Sequence, residues 1–304
     1  MQGLVQQEPQ RYGSLRQPGD QYSFDIYDQV AFGLRDSASK ALGPLHPRHI
    51  LAVSAIYLTT FADTLEPHDY SYDGIFIHSR GASGAPLSGA TINTSTAQTP
   101  LLIRTDLRVP VFMSETQTDM IMLGYAAAQQ PNTDRIRTWE IAGTSHADIY
   151  EVGGNAGVLG CTTPINTGPQ HVVVQAAFAN FSRWVTAGTP PPEPSPFKLA
   201  SKNPATLALD SHGNVIGGVR TPAVDEPVST LTGSAPAGTS VICSLFGTTT
   251  PFSSAELASL YGSKANYISK YTADLDKAIA GGYLLPSERE ELLARASQVQ
   301  FPSS

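Results

Sequence analysis

The sequence predicts an α/β fold: a mostly parallel sheet with flanking helices and a helical C-terminal region. Three observations carry this. Short apolar runs without polar alternation occur at residues 49–53, 74–78 and 109–113, with a fourth strand expected over 135–141; strands buried on both faces read this way. Between and after them lie stretches with apolar residues at helical spacing. Residues 253–304 read as helices only.

The elements follow in order. Residues 1–23 hold no convincing strand and form an irregular lead-in. Phe24 to Leu42 has helical spacing and ends at Gly43-Pro44, as a helix stop should. His49 to Val53 is a short buried strand, Ser54 to Leu65 a helix halted before Pro67, and "GIFIH" a second strand. Residues 79–100 are a long Gly/Ser/Thr loop. "VPVFM" is the third strand, Asp119 to Gln129 a helix, and "RIRTWEI" the fourth strand. A glycine-rich run follows, then an amphipathic helix over Gln170 to Ala187. The expected organisation is a core over 24–188, a Pro/Thr/Ser-rich loop and short-strand segment over 189–252, and C-terminal helices over 253–304 packed on that core. "TPPPEPSP" is a stiff connector. "FKLA", "TLALD" and "VIGGV" are short strands around a Ser211–Asn214 turn, and 220–250 is loop. Ser253 and Ser287 are expected N-caps, and Gly281-Gly282 a stop.

Composition narrows the function. The chain has 304 residues, 41% hydrophobic and 15% charged, with a formal net charge of −7. Nucleic-acid binding needs clustered Lys and Arg, so it is not expected. No apolar run is long enough for a membrane span, and residues 1–15 lack the apolar core of a secretory signal; a cytoplasmic location is the expectation. Cys161 and Cys243 have no metal spacing. Two unpaired structural thiols are expected, with a bridge as the alternative in an exported protein.

Active sites of such sheets form at the C-terminal strand ends. After the first strand comes Ser54, after the third Glu115 and Asp119, after the fourth His146. Serine, acid and histidine in this order match the α/β-hydrolase triad. Serine is a poor nucleophile until a histidine takes its proton, and the carboxylate holds the imidazole in the right tautomer. Asp119 stands clear of the third strand and is the favoured acid; Glu115 is the alternative. Each also suits a helix cap, as does Thr118. His146 and Asp148 make a weak two-ligand metal pair. His78 could line the same mouth, while His46, His49, His68, His171 and His212 have no evident partners. No phosphate-cradling turn follows a strand, so no cofactor and no metal is expected.

The stretches "YGSLRQPGDQYSFDIYDQVA", "YDGIFIHSRG", "VPVFMSETQTDM", "RTWEIAGTSHADIY", "PINTGPQ" and "LYGSKANYISKYTADLDKAIAGGYLLPSERE" together resemble the alpha/beta hydrolase domain-containing proteins of bacteria and fungi. The likeness runs from about Arg11 to the C-terminus. It implies an α/β-hydrolase-like core with family-specific C-terminal helices, and hydrolysis of an ester-like small molecule. Within it, His146 in "GTSHAD" matches the base and Asp119 or Glu115 in "SETQTD" the acid region. Two departures stand out. Family members look as if they carry Gly-x-Ser-Gln-Ser-Ala between strand and helix, whereas here "ILAV" runs directly into "SAIYLTTF". Ser54-Ala55 then match the trailing Ser-Ala, and the nucleophile's residues are absent. The family's N-terminal strands, which would supply an oxyanion-hole N–H, are also missing.

Two readings follow. One is a serine-type ester hydrolase with a Ser54–Asp119–His146 triad, impaired by its elbow. The other is a non-catalytic hydrolase-like protein, a pseudoenzyme or truncated product, that binds a small molecule or partner. Missing strands should leave an exposed apolar surface, covered by a partner or by self-association.

Overall fold

The computed structural model describes residues 3–14, 16, 19–36, 48–90, 99–153 and 159–301. The expected stop at Gly43-Pro44, the end of the first long helix, His46 and parts of the two glycine-rich loops lie outside these residues.

Short helices α1 (Leu4–Gln7) and α2 (Pro9–Tyr12) lead to α3 (Ser23–Arg35), so the lead-in is helical in part. Then come β1 (Leu51–Ser54), α4 (Ile56–Thr64), α5 (Glu66–Asp69), β2 (Gly74–His78), β3 (Val111–Glu115), α6 (Gln117–Ile121), β4 (Ile136–Glu140), α7 (Ile149–Val152) and α8 (Gln170–Ala187). The helix expected before Pro67 is α4, which ends at Thr64; Pro67 itself sits in the first turn of the separate short helix α5, where its missing N–H is harmless. The helix expected over 119–129 is instead α6, Gly124 in the left-handed region (φ 76°) and a 3-10 turn over Tyr125–Ala128.

β1 to β4 form one parallel sheet in the order β1-β2-β3-β4. Side chains alternate between its faces. Ala52, Ile75, Ile77, Val111, Met113 and Ile136 pack under α3 and α4. Phe76, Phe112 and Trp139 pack under α8 and the C-terminal helices. Gly74 lets α8 approach β2: a Cβ there would lie 2.5 Å from Val185 and 2.8 Å from Phe181. This two-sided burial explains the unalternating apolar runs.

Among the described residues no strand pairs with the outer edge of β1. Beside that edge Val53, Phe76, Val174 and Phe178 line a shallow apolar groove, with Val53 49% and Phe178 42% exposed.

Beyond α8 an antiparallel pair, β5 (Leu199–Lys202) and β6 (Ala205–Leu207), matches "FKLA" and "TLALD", while "VIGGV" contributes only isolated bridges from Val215 and Val219. The loop expected over 220–250 contains α9 (Pro222–Asp225), β7 (Ser229–Thr232), α10 (Val241–Ser244) and the start of β8 (Thr248–Pro251); β7 and β8 pair antiparallel. Their Ser/Thr-rich composition hides them from a hydropathy reading. Helices α11 (Ser254–Tyr261), α12 (Lys264–Ala280) and α13 (Arg289–Ala296) close the chain. Ser253 caps α11 in a capping box with Glu256, and Gly281 ends α12. Ser287 is not a cap; it lies inside a 3-10 turn over Pro286–Glu288.

The expectation of two unpaired thiols is corrected. Cys161 and Cys243 form a disulfide, with an S–S distance of 2.00 Å across a sequence separation of 82. It borders a small core of Val152, Ile165 and Phe246, on which Ala147 and Ile149 pack. The bridge therefore fastens the segment that follows His146. Sequence spacing could not show this, because β7 and β8 bring the two cysteines together.

Candidate active site

Parallel register sets the site's geography. Ser54 pairs with Ile77 and His78 with Ser114, so Ala55, one residue past β1, comes level with His78. Past β3, the acid region turns into α6. Thr116, not Thr118 or Asp119, is the N-cap, and Asp119 at the third helical position completes a capping box. Asp119 Oδ2 accepts from Thr116 N (2.8 Å) and Thr116 Oγ1 (2.7 Å). Its other oxygen, Oδ1, faces His146 Nδ1 at 2.7 Å.

His146 arrives by a turn after β4. Gly143 takes a left-handed backbone, φ 76°, where only glycine is comfortable; a Cβ there would meet Val224 at 2.6 Å. Thr144 Oγ1 then donates to Ile141 O (2.6 Å) and Ser145 Oγ to Ala147 O (2.8 Å). The His146 backbone is held at both ends: its N–H donates to Thr118 Oγ1 (3.1 Å), and its carbonyl accepts from Gln170 Nε2 (3.2 Å). With a carboxylate against Nδ1, that nitrogen donates and Nε2 is left to accept a proton. Asp119 is fully buried and the His146 side chain 31% exposed, so the pair has a dry end and an open end.

Burial pushes the His146 pKa down, but the hydrogen bond and charge of Asp119, helped by Glu151, raise it above the ordinary histidine value overall. His78 goes the other way: burial lowers it, opposed by the charge of Asp119 and reinforced by His146. Two imidazoles thus border one pocket with opposite proton affinities.

That open pocket, about 420 Å³, is lined by Ala55, His78, Ser79, His146, Ala147, Glu151 and Val152. Ser54 is not among them. It is exposed, sits on the α3–α4 side of the sheet, and lines a separate pocket of about 190 Å³ with Tyr27 and Tyr57. No hydrogen bond among the described residues joins Ser54 to His146.

Glu115, the alternative acid, is fully buried at the end of β3, and neither carboxylate oxygen has a hydrogen-bond partner. Burial, then the neighbouring charge of Asp119, holds its pKa well above the carboxylate range, against the nearby Arg80. It lies below the site rather than in it.

Asp148 turns away from His146. Its Oδ1 caps α7 by accepting from Tyr150 N and Glu151 N, and its Oδ2 lies 3.1 Å from His171 Nδ1. The two-residue metal reading loses its second ligand in this way, and no group of three candidate ligands occurs among the described residues. His171, without an evident partner in the sequence, is thus half of a second His–Asp pair. Its Nε2 is taken by Arg295 Nη1 at 3.2 Å, so no serine can use it.

Sequence reasoning missed Ser79. It follows β2, lines the His146 pocket and has φ +55°, rare for a residue with a side chain. Its N–H donates to Ser114 O (2.8 Å) while its buried Oγ has no partner. Only its position past a parallel strand end could have pointed to it.

A family model described as alpha/beta hydrolase domain matches residues 1–294 of the chain. No curated protein and no solved structure matches it.

Proposed function

Because the chain belongs to that alpha/beta hydrolase domain family, we propose that its site is built for serine-type hydrolysis of a carboxylic ester and that this chain keeps only the acid–base half. In this reading Asp119 orients His146, and His146 Nε2 takes the proton from whatever attacks the carbonyl. The observation that carries it is the neighbour of His146: Ala55 shares its pocket and Ser54 does not. An alanine methyl has no lone pair to attack with. Turnover through Ser54 is therefore low, and the chain acts chiefly as a hydrolase-like protein that holds a small ester-like molecule over His146.

A fluorophosphonate probe with peptide mapping tests this. The wild-type chain should give no adduct at Ser54, while Ala55→Ser should gain one at position 55 that is lost again with His146→Ala. A wild-type adduct at Ser54 that depends on His146 would overturn the reading and make Ser54 the nucleophile. A second reading is favoured by Ser79, whose positive φ is the kind of strained position functional residues occupy. It requires the wild-type adduct to map to Ser79 and to vanish with Ser79→Ala.

The apolar groove at the free edge of β1 supports a protein partner or second copy there; size-exclusion chromatography of Val53→Lys against wild type tests it. No helix among the described residues is long and apolar enough to cross a membrane. The Cys161–Cys243 bridge favours an oxidising compartment over the cytoplasm, which thiol alkylation of the native protein would check.

A further inference from the structure

A cavity of about 220 Å³ lies on the far side of α8, walled by α8, the segment from Thr221 to Leu231, α12 and α13. At about 30 Å³ per liquid water, it has room for a small organic molecule. Its walls are chiefly apolar, with Val172, Leu284, Leu292 and Val299 among them. Tyr267 (1% exposed) and Tyr271 (8%) add aromatic surface.

Two polar features interrupt these walls. On the α8 and α13 side stands Arg295. Its Nη1 meets His171 Nε2 at 3.2 Å, its Nη2 pairs with Glu291, and its guanidinium lies 4.1 Å from the Tyr150 ring centroid. A guanidinium has five N–H donors, so three remain, on a side chain already fixed by stacking and hydrogen bonding. On the wall before α9 stands Thr221, 2% exposed, whose Oγ1 is buried without a hydrogen-bond partner. Such a group is destabilising unless something answers it. The acid in the lining is Glu226, whose pKa is raised by burial and by Asp274 and Asp225 against Lys270, which lessens its repulsion of an anion.

We propose that this cavity is a second small-molecule site, apart from the His146 pocket, for a small aromatic carboxylate bearing a ring hydroxyl. The carboxylate pairs with the spare donors of Arg295. The ring lies between the aliphatic walls and the two tyrosines, and its hydroxyl answers Thr221. The far end of the Arg295–His171 chain is Asp148, two residues past His146, so an occupant held by Arg295 would be linked to that segment through His171.

The test is isothermal titration of the full chain with 4-hydroxyphenylacetate, 4-hydroxyphenylacetamide and phenylacetate. The hydroxy acid should bind, the amide about tenfold or more weakly for lack of the charged hydrogen bonds, and phenylacetate more weakly than the hydroxy acid. Arg295→Gln should remove the preference for acid over amide, and Ala223→Phe, which fills the cavity, should remove binding. Equal affinity for acid and amide on the wild-type chain, unaltered binding to Ala223→Phe, or no binding of the hydroxy acid would each overturn the proposal. The acid–amide comparison needs no variant and survives misfolding of either one.

Discussion

Asp119 and His146 are 27 residues apart in the chain and 2.7 Å apart in space, and the contact uses only one of the two carboxylate oxygens. The other is committed to Thr116 at the start of α6. One side chain thus fixes both a helix terminus and an imidazole.

This pairing sets the titration of His146. Asp119→Asn removes the hydrogen bond to a charged partner and its charge, leaving burial, the largest cause, opposed only by Glu151, so the His146 pKa should fall from above to below the ordinary histidine value. Imidazole NMR titration reads the change. A histidine whose folded pKa is raised above its unfolded value stabilises the fold fully below the unfolded pKa, and that contribution is lost as pH rises through the folded pKa. The difference in Tm between wild type and Asp119→Asn should therefore be larger at pH 5 than at pH 9.

The two acids should separate cleanly. In an Ala55→Ser background, Asp119→Ala should slow His146-dependent fluorophosphonate labelling by about a hundredfold or more. Glu115→Gln should leave it nearly unchanged, since burial raises the Glu115 pKa and so favours its neutral form, to which the amide is close in shape. Equal losses in both variants would assign the acid's role to neither residue.

Glu66 offers a pH-dependent stability signal away from the site. It is 1% exposed. Burial first, then the charges of Asp28 and Asp69, push its pKa up to about 7, against the Tyr72 backbone and Arg108. An acid whose folded pKa is raised favours the fold while protonated, so stability falls as pH rises from the unfolded value through about 7. Glu66→Gln should stabilise the chain at pH 8 by on the order of 2 kcal/mol and much less at pH 5. Urea melts at the two pH values measure it.

Reduction of Cys161–Cys243 should destabilise the chain. Closing an 82-residue separation restricts the unfolded ensemble by about 4.5 kcal/mol in the chain-entropy account. Calorimetry with and without reductant should show Tm lower by roughly 5–10 °C in the reduced protein. Because Ala147 and Ile149 pack on the same small core, hydrogen exchange should rise first around α7.

The sheet was legible because each buried strand is a short apolar run, and the Asp119–His146 contact because each residue follows a strand end at the separation of one helix and one strand. Side-chain facing was not. Ser54 is the last residue of β1, and strand alternation turns it with Ala52 toward α3 and α4; one residue decides which face it serves. Ser79 was hidden because a positive φ at a non-glycine residue leaves no trace in composition. The Ser/Thr-rich strands β7 and β8, and the bridge that they make possible, were invisible to a reading that weighs hydrophobicity.

The doubled duty of Asp119 has a consequence for mutation at the site. A mutation that removes the Asp119 carboxylate also removes the capping box of α6, so it costs the helix terminus as well as the histidine contact. His146 is fastened through its own backbone to Thr118 and Gln170. Ala55, at the N-cap of α4, makes no side-chain hydrogen bond, so replacing it with serine gives up no contact of that kind.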